Sequence, residues 1–251
     1  MSFSDSDGHQ DWRFTRFGLI VTGHTEAKCI PALFRVMEAT GACTFQVIRR
    51  IKQRSPRSKR SQLRMVGSGK KIPDRDETDI GLPARCFLSS DDMFVVLIDD
   101  LEANRSDRRK EIFDRYRRAL DTMLLPSQAG RSSVHFLVNM LESYFFANCD
   151  AVNAVLGTNL EDYDGDVETM RNPKARIKSV HSGYKVIDDG CKIIGRLDVP
   201  HVLSRRDACS SLRTMFAWIH KAMGEPESEV AQFLAGRLSE VTEAQICALP
   251  A

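Results

Sequence analysis

No apolar run in the sequence reaches the roughly 18–20 residues that a membrane-crossing helix needs. The first stretch, Met1 to Trp12, has neither a positively charged start nor an apolar middle, so it is not a secretory signal and reads as a short disordered leader over 1–13. The seven cysteines show no C-x-x-C or Cys/His spacing that would announce a zinc site. Odd in number and scattered, they imply buried free thiols in a reducing, cytoplasmic setting. The net charge is only +2, so overall charge selects no partner. No internal repeat and no G-x-S-x-G nucleophile elbow is present. Gly67–Lys71 fails as a P-loop, because Arg64 stands where the first glycine is required and Lys71 where Ser or Thr is. The acidic loop Glu161–Glu168 lacks the glycine and glutamate spacing of an EF-hand.

What remains is ordinary globular composition, with 42% hydrophobic and 28% charged residues in 251. Phe17–Val21 is a short β-branched run of the kind that forms a fully buried strand. It ends in Thr22-Gly-His-Thr-Glu26, and Ile30, Leu33, Phe34 and Met37 follow at helical spacing. Pro31 implies an irregular turn around Glu26 or a late helix start. Thr44–Ile48 reads as a second strand, Phe94–Ile98 as a third and Val134–Val138 as a fourth. Arg105–Leu125 reads as an amphipathic helix, and Met140–Asn148 as the start of another. Alternating strands and helices imply βαβ units and a mostly parallel sheet flanked by helices. After about residue 150 short helical pieces dominate, with a clear helix near Cys209–Met223. The expected organisation is an α/β core over 14–150 and a helical C-terminal lobe over 151–251 packed on it.

Ordered pattern lapses from Arg49 to Pro73 and is expected to return only at Phe94. Arg49, Arg50, Lys52, Arg54, Arg57, Lys59, Arg60, Arg64, Lys70 and Lys71 occur there with no acid among them. A basic insert of this kind, within 49–85, attracts a polyanion through its phosphates. It holds no aromatic residue, so base stacking is not part of the expectation. Solvated charged loops give the same composition.

The third strand runs directly into Asp99, Asp100 and Glu102. Ligand sites in parallel α/β sheets lie beyond the carboxyl ends of strands, where acids suit a hard cation such as Mg²⁺, with Mn²⁺ as its substitute. Acids at these positions also serve as helix N-caps. Glu26 follows a second strand end, and Glu142 starts a helix after another. Several carboxylates of this kind can converge on one metal or on two. His24 lies beside the first turn, and Lys174 and Lys185 are further candidates for phosphate contact, though surface lysines are common.

An apolar strand, G-x-T-E, a helix, and a strand ending in an acidic pair resemble the topoisomerase–primase (TOPRIM) fold, shared with the overcoming-lysogenization-defect (OLD) nucleases. More specifically, GHTEAKCIPALFRVM, VVLIDDLE, VHFLVNMLESYFFAN, NPKARIK and LRTMFAWI, in that order across residues 17–222, resemble the bacterial family catalogued as domain of unknown function 4276. The resemblance implies a TOPRIM-like Mg²⁺ site, nuclease activity, and a setting in phage defence or DNA metabolism beside an ABC/SMC-type ATPase encoded nearby. Two positions depart from the TOPRIM pattern. Thr22 stands where a glutamate is usual, so Glu26 would take its role. Leu101 stands where the second motif has an acid, so Asp100 and Glu102 would form the working pair. The resulting expectation is a Mg²⁺-dependent nuclease in which Glu26, Asp99 and Asp100 hold the ion and Glu102 or Glu142 completes the shell. The alternative is a non-catalytic subunit that binds nucleic acid or the ATPase. Transfer on a small nucleotide is a third reading of the same acids.

Overall fold

The computed structural model describes residues 14–54 and 72–250. Four strands, β1 (Thr15–Thr22), β2 (Cys43–Ile51), β3 (Met93–Leu101) and β4 (Ser132–Val138), form one sheet in the order β2-β1-β3-β4. Every neighbouring pair is parallel, so the carboxyl ends of all four strands share one edge. The central strands β1 and β3 are buried on both faces, which is why they read as apolar runs, whereas the edge strand β2 is partly exposed.

Because side chains alternate along a strand, the two faces draw on different residues. Phe17, Leu19, Val21, Phe94, Val96 and Ile98 join one core with Phe146, Ile194, Phe216 and Trp218 from the C-terminal half. Ile20, Val95, Leu97, Leu101 and Phe136 join a second core with Ile112, Tyr116 and Leu120 of the Arg109–Met123 helix. Gln245 finishes the free edge of β4: its side-chain amide accepts from Val134 N and donates to Val134 O, both at 2.9 Å. That contact satisfies an edge strand otherwise open to pairing.

The fold corrects several expectations. The helix after β1 starts at once, over His24–Cys29, and includes Glu26. Pro31 instead begins a 3₁₀ stretch, Ile30–Phe34, whose first turn needs no amide donor there. The Arg105–Leu125 helix is divided into Ala103–Ser106 and Arg109–Met123. Order returns well before Phe94. Helix covers 75–87, its middle turn widened to a π-helix at Glu77–Gly81. Gly81 lets this segment lie against the long helix: a Cβ there would come within 2.5 Å of Ala119 O. The cysteines are not all free thiols. Cys29 and Cys191, 162 residues apart, form a disulfide, a pairing no local spacing could announce. Cys43, Cys149 and Cys209 are buried free thiols, and burial pushes Cys43 up to about 11 and Cys149 to about 12. The expected leader 1–13 lies outside the described residues. Among the described residues no helix is long and apolar enough to cross a membrane.

Candidate active site

After β1 the chain turns to β2 on one side, then crosses to β3 on the other. The carboxyl ends of β1 and β3 therefore flank a topological switch point, where a crevice opens and open α/β sheets bind ligands. Two acids meet in that crevice. Glu26 lies in the first turn of the His24–Cys29 helix, and Asp100 is the penultimate residue of β3. Each lies in the other's electrostatic field, and both are buried, Glu26 to 7% exposure and Asp100 to 6%.

Gly23 makes the turn feasible. Its φ is +97°, open to glycine, and a Cβ at that position would sit 2.1 Å from Glu26 Oε2. The Glu26 carboxylate thus folds back over the glycine backbone.

A third acid arrives from β4. Asn139 (φ +57°) and Met140 (φ +80°, ψ 154°) are successive non-glycine residues with left-handed φ, and Met140 occupies a region nearly restricted to glycine. The surroundings hold the kink. Asn139 N donates to Leu101 O at 2.9 Å, its side chain donates to Glu168 O at 2.5 Å, and Ser143 Oγ donates to Asn139 O at 2.6 Å. The kink delivers Glu142, 4% exposed, into the electrostatic field of the other two acids. A left-handed Asn172 likewise precedes Pro173 and Lys174. Lys174 Nζ lies 3.4 Å from Glu142 Oε1, close enough to pair in charge but without hydrogen-bond geometry.

Burial pushes the Glu26 carboxyl above the ordinary carboxylate range, and the Glu142 charge adds to that push. Asp100 is raised further, by burial first and then by the charges of Glu26 and Glu142. Asp100 Oδ1 and Glu142 Oε1 are buried with no hydrogen-bond partner. Tyr184 completes the wall. Its hydroxyl is buried and unpartnered, and burial followed by the Glu142 charge raises it.

Asp99 belongs elsewhere. Strand alternation turns it to the opposite face from Asp100, where it is fully buried. It accepts from Thr22 Oγ1 at 2.8 Å, Tyr116 OH at 2.9 Å and Arg105 Nη2 at 2.6 Å. All its capacity is spent on fastening β1 and the long helix to β3. Thr22 does the same work, since Oγ1 also accepts from Asp100 N at 3.1 Å. Thr22 thus braces the strands behind the site. Glu102 is the N-cap residue of Ala103–Ser106, with no side-chain cap bond.

The basic residues divide too. Arg54, expected to contact phosphate, is 5% exposed and is held by Asp76 at 2.8 Å and Asp79 at 2.5 Å. Arg49 also pairs with Asp79, at 3.0 Å. Arg50 donates to His24 Nδ1 at 2.9 Å, and Lys52 is exposed. Arg57, Lys59, Arg60, Arg64, Lys70 and Lys71 lie outside the described residues.

Sequence reasoning missed Tyr184 and the Asn139–Met140 kink. Neither left a signal, because a tyrosine in a turn between two helices is ordinary and the kink uses no glycine. The parity of β3 was visible: Val95, Leu97 and Asp99 share one face, so Asp99 and Asp100 could not both point into one site.

Fold and site together define an α/β protein with carboxylates gathered at a parallel-sheet switch point. Residues 21–220 match the family described as Domain of unknown function (DUF4276), and the chain belongs to that family. Two structures of the C-terminal region of the Xanthomonas campestris pv. campestris OLD protein are similar over 94% of this chain and 92% of theirs. One is 14% identical with a TM-score of 0.29 and the other 13% identical with a TM-score of 0.26. No curated protein matches the chain.

Proposed function

We propose that the protein is a divalent-cation-dependent nuclease, hydrolysing nucleic-acid phosphodiesters with Glu26, Asp100 and Glu142 as the residues that hold Mg²⁺ or Mn²⁺. The observation that carries this reading is the meeting of three buried carboxylates from three strand ends with two oxygens left unpaired. Buried oxygens without partners are costly, and burial followed by mutual repulsion disfavours the charged forms of Glu26 and Asp100. A cation relieves both.

The fit has one condition. Among the described residues no three His, Cys, Asp or Glu side chains already stand in metal-ligand geometry. Glu26, Asp100 and Glu142 would hold an ion in their ionised forms, in competition with protons. Once bound, such an ion supplies a polarised phosphoryl group and an acidified water.

The chain's own residues do the rest. Glu26 and Asp100 would give up protons held to higher pH than an ordinary carboxylate holds them. Lys174 balances the charge of Glu142 and adds a cation beside the phosphate. Tyr184 supplies a hydroxyl that can donate into the site. Asp99, Arg105, Thr22 and Tyr116 hold β1, β3 and the long helix in register behind the site. The setting we propose is phage defence or DNA metabolism beside an ABC/SMC-type ATPase, as the family resemblance implies.

The test is Mn²⁺ binding by calorimetry and cleavage of labelled DNA and RNA, with and without any ATPase encoded alongside. Asp100→Asn and Glu142→Gln should abolish both ion binding and cleavage in folded protein. A wild type that binds no ion and cleaves nothing, even with the ATPase, would leave the non-catalytic subunit as the correct reading. Thr22 in the usual glutamate position favours that rival.

A further inference from the structure

A cleft of about 840 Å³ opens between the His24–Cys29 helix and the segment 181–192. Lys28, His181, Lys185 and Lys192 line it, together with Asp188 and Asp189. It shares structure with the site on both walls. The short helix that begins with Glu26 in its first turn carries Lys28 toward its other end. Tyr184, buried toward Glu142, is flanked by Gly183 and Lys185, which both line the cleft.

The charges in the cleft are not equally free. Asp189 is committed locally, accepting from Lys185 N at 2.8 Å and lying 4.0 Å from Lys192 Nζ. Asp188 occupies the first turn of the Asp188–Ile194 helix, where a negative charge complements the helix dipole. Lys28 and Lys185 have no ion-pair partner among the described residues, and both are exposed. Among the described residues no Phe, Tyr or Trp lines the cleft, so they offer no surface there for stacking a base. The Cys29–Cys191 disulfide joins the two walls, and Cys191 itself is part of the lining. The lysines are thereby set on two walls linked by a covalent bond.

We infer that this cleft binds a backbone phosphate of the nucleic acid, near the phosphate that lies at Glu26, Asp100 and Glu142. The inference rests on the nuclease reading and gives it a substrate path: the strand enters beside the carboxylates and is held by Lys28 and Lys185. Contact is to phosphate alone, so it is indifferent to base sequence. Two positively charged sites separated along one strand also set the register of the scissile bond.

The experiment uses fluorescein-labelled single-stranded DNA and RNA 20-mers in EDTA, so that binding is read without cleavage. The Lys28→Glu/Lys185→Glu variant is compared with Lys178→Glu/Lys221→Glu, an equal charge change at exposed lysines outside the cleft. The cleft variant should bind both oligomers at least tenfold more weakly. The slope of log affinity against log salt should fall by about 0.7 for each phosphate that the variant no longer neutralises. Mn²⁺ binding by calorimetry should match wild type, which shows the carboxylate site intact. Unchanged oligomer affinity in the cleft variant, or an equal loss in the control, overturns the cleft while leaving the nuclease reading standing. Absence of Mn²⁺ binding in wild type that still holds oligomers through Lys28 and Lys185 overturns the nuclease reading and leaves the phosphate cleft.

Discussion

Asp99 and Asp100 are adjacent, chemically identical and both buried, yet replacing each with asparagine should have opposite effects. Asp99 accepts from Thr22, Tyr116 and twice from Arg105, whose side chain is 12% exposed. Asp99→Asn leaves that arginine buried without a counter-charge, and breaking a buried pair in this way costs about 3–5 kcal/mol. For a chain of this size the melting temperature should fall by about 6–20 °C. Asp100→Asn removes a charge that burial and the neighbouring carboxylates both disfavour. Its melting temperature at pH 8 should equal or exceed that of wild type. The pH dependence separates the two further. The folded state holds the protons of Asp100 and Glu26 to higher pH than the unfolded chain does. Their contribution is therefore fully present below the ordinary carboxylate range, about pH 4, and is lost as pH rises toward the raised folded values. Asp100→Asn should flatten that decline. Thermal unfolding by circular dichroism from pH 4 to pH 8, in EDTA, measures all of this. An Asp99→Asn protein as stable as wild type, or an Asp100→Asn protein destabilised to the same degree as Asp99→Asn, would refute the assignment of the two acids.

Mn²⁺ should raise the melting temperature of wild type more at pH 8 than at pH 5, because ion and proton compete for Glu26 and Asp100; equal shifts at both pH values would place the ion elsewhere. Thr22→Glu should not restore a metal ligand: position 22 faces Asp99 and is fully buried, so the variant should be destabilised and bind Mn²⁺ no better, as calorimetry and melting will read. Gly23→Ala should displace the Glu26 carboxylate and weaken Mn²⁺ binding, since the new methyl occupies the position of Oε2. Thiol titration of the unfolded, unreduced protein should find five reactive groups and seven after reduction, and Cys191→Ser should lower stability, the chain-entropy limit for so long a loop being about 5 kcal/mol.

Much of the frame was legible from residues 15–138 alone. A strand buried on both faces must be apolar throughout, so Phe17–Val21, Phe94–Ile98 and Val134–Val138 announce themselves, and parallel pairing then places their carboxyl ends at one edge. Glu26, Asp100 and Glu142 follow from that placement, because each sits just beyond or at such an end. The same periodicity of two assigns Asp99 to the other face. Sequence alone does not say what waits there, since the Arg105 and Tyr116 partners come from outside the strand. The state of the site was decided by tertiary structure. Only packing brings Glu142 in through a strained turn with no glycine, sets Lys174 and Tyr184 against it from the C-terminal half, and buries three carboxylates so closely that Glu26 and Asp100 are raised above the ordinary carboxylate range. Arg54 and the Cys29–Cys191 pair make the same point. A cation in a basic run is buried by acids that lie 22 and 25 residues further on, and two cysteines 162 residues apart are bonded. Local sequence sets which residues can face a sheet; which charges then neutralise one another depends on long-range proximity, and only the folded chain supplies it.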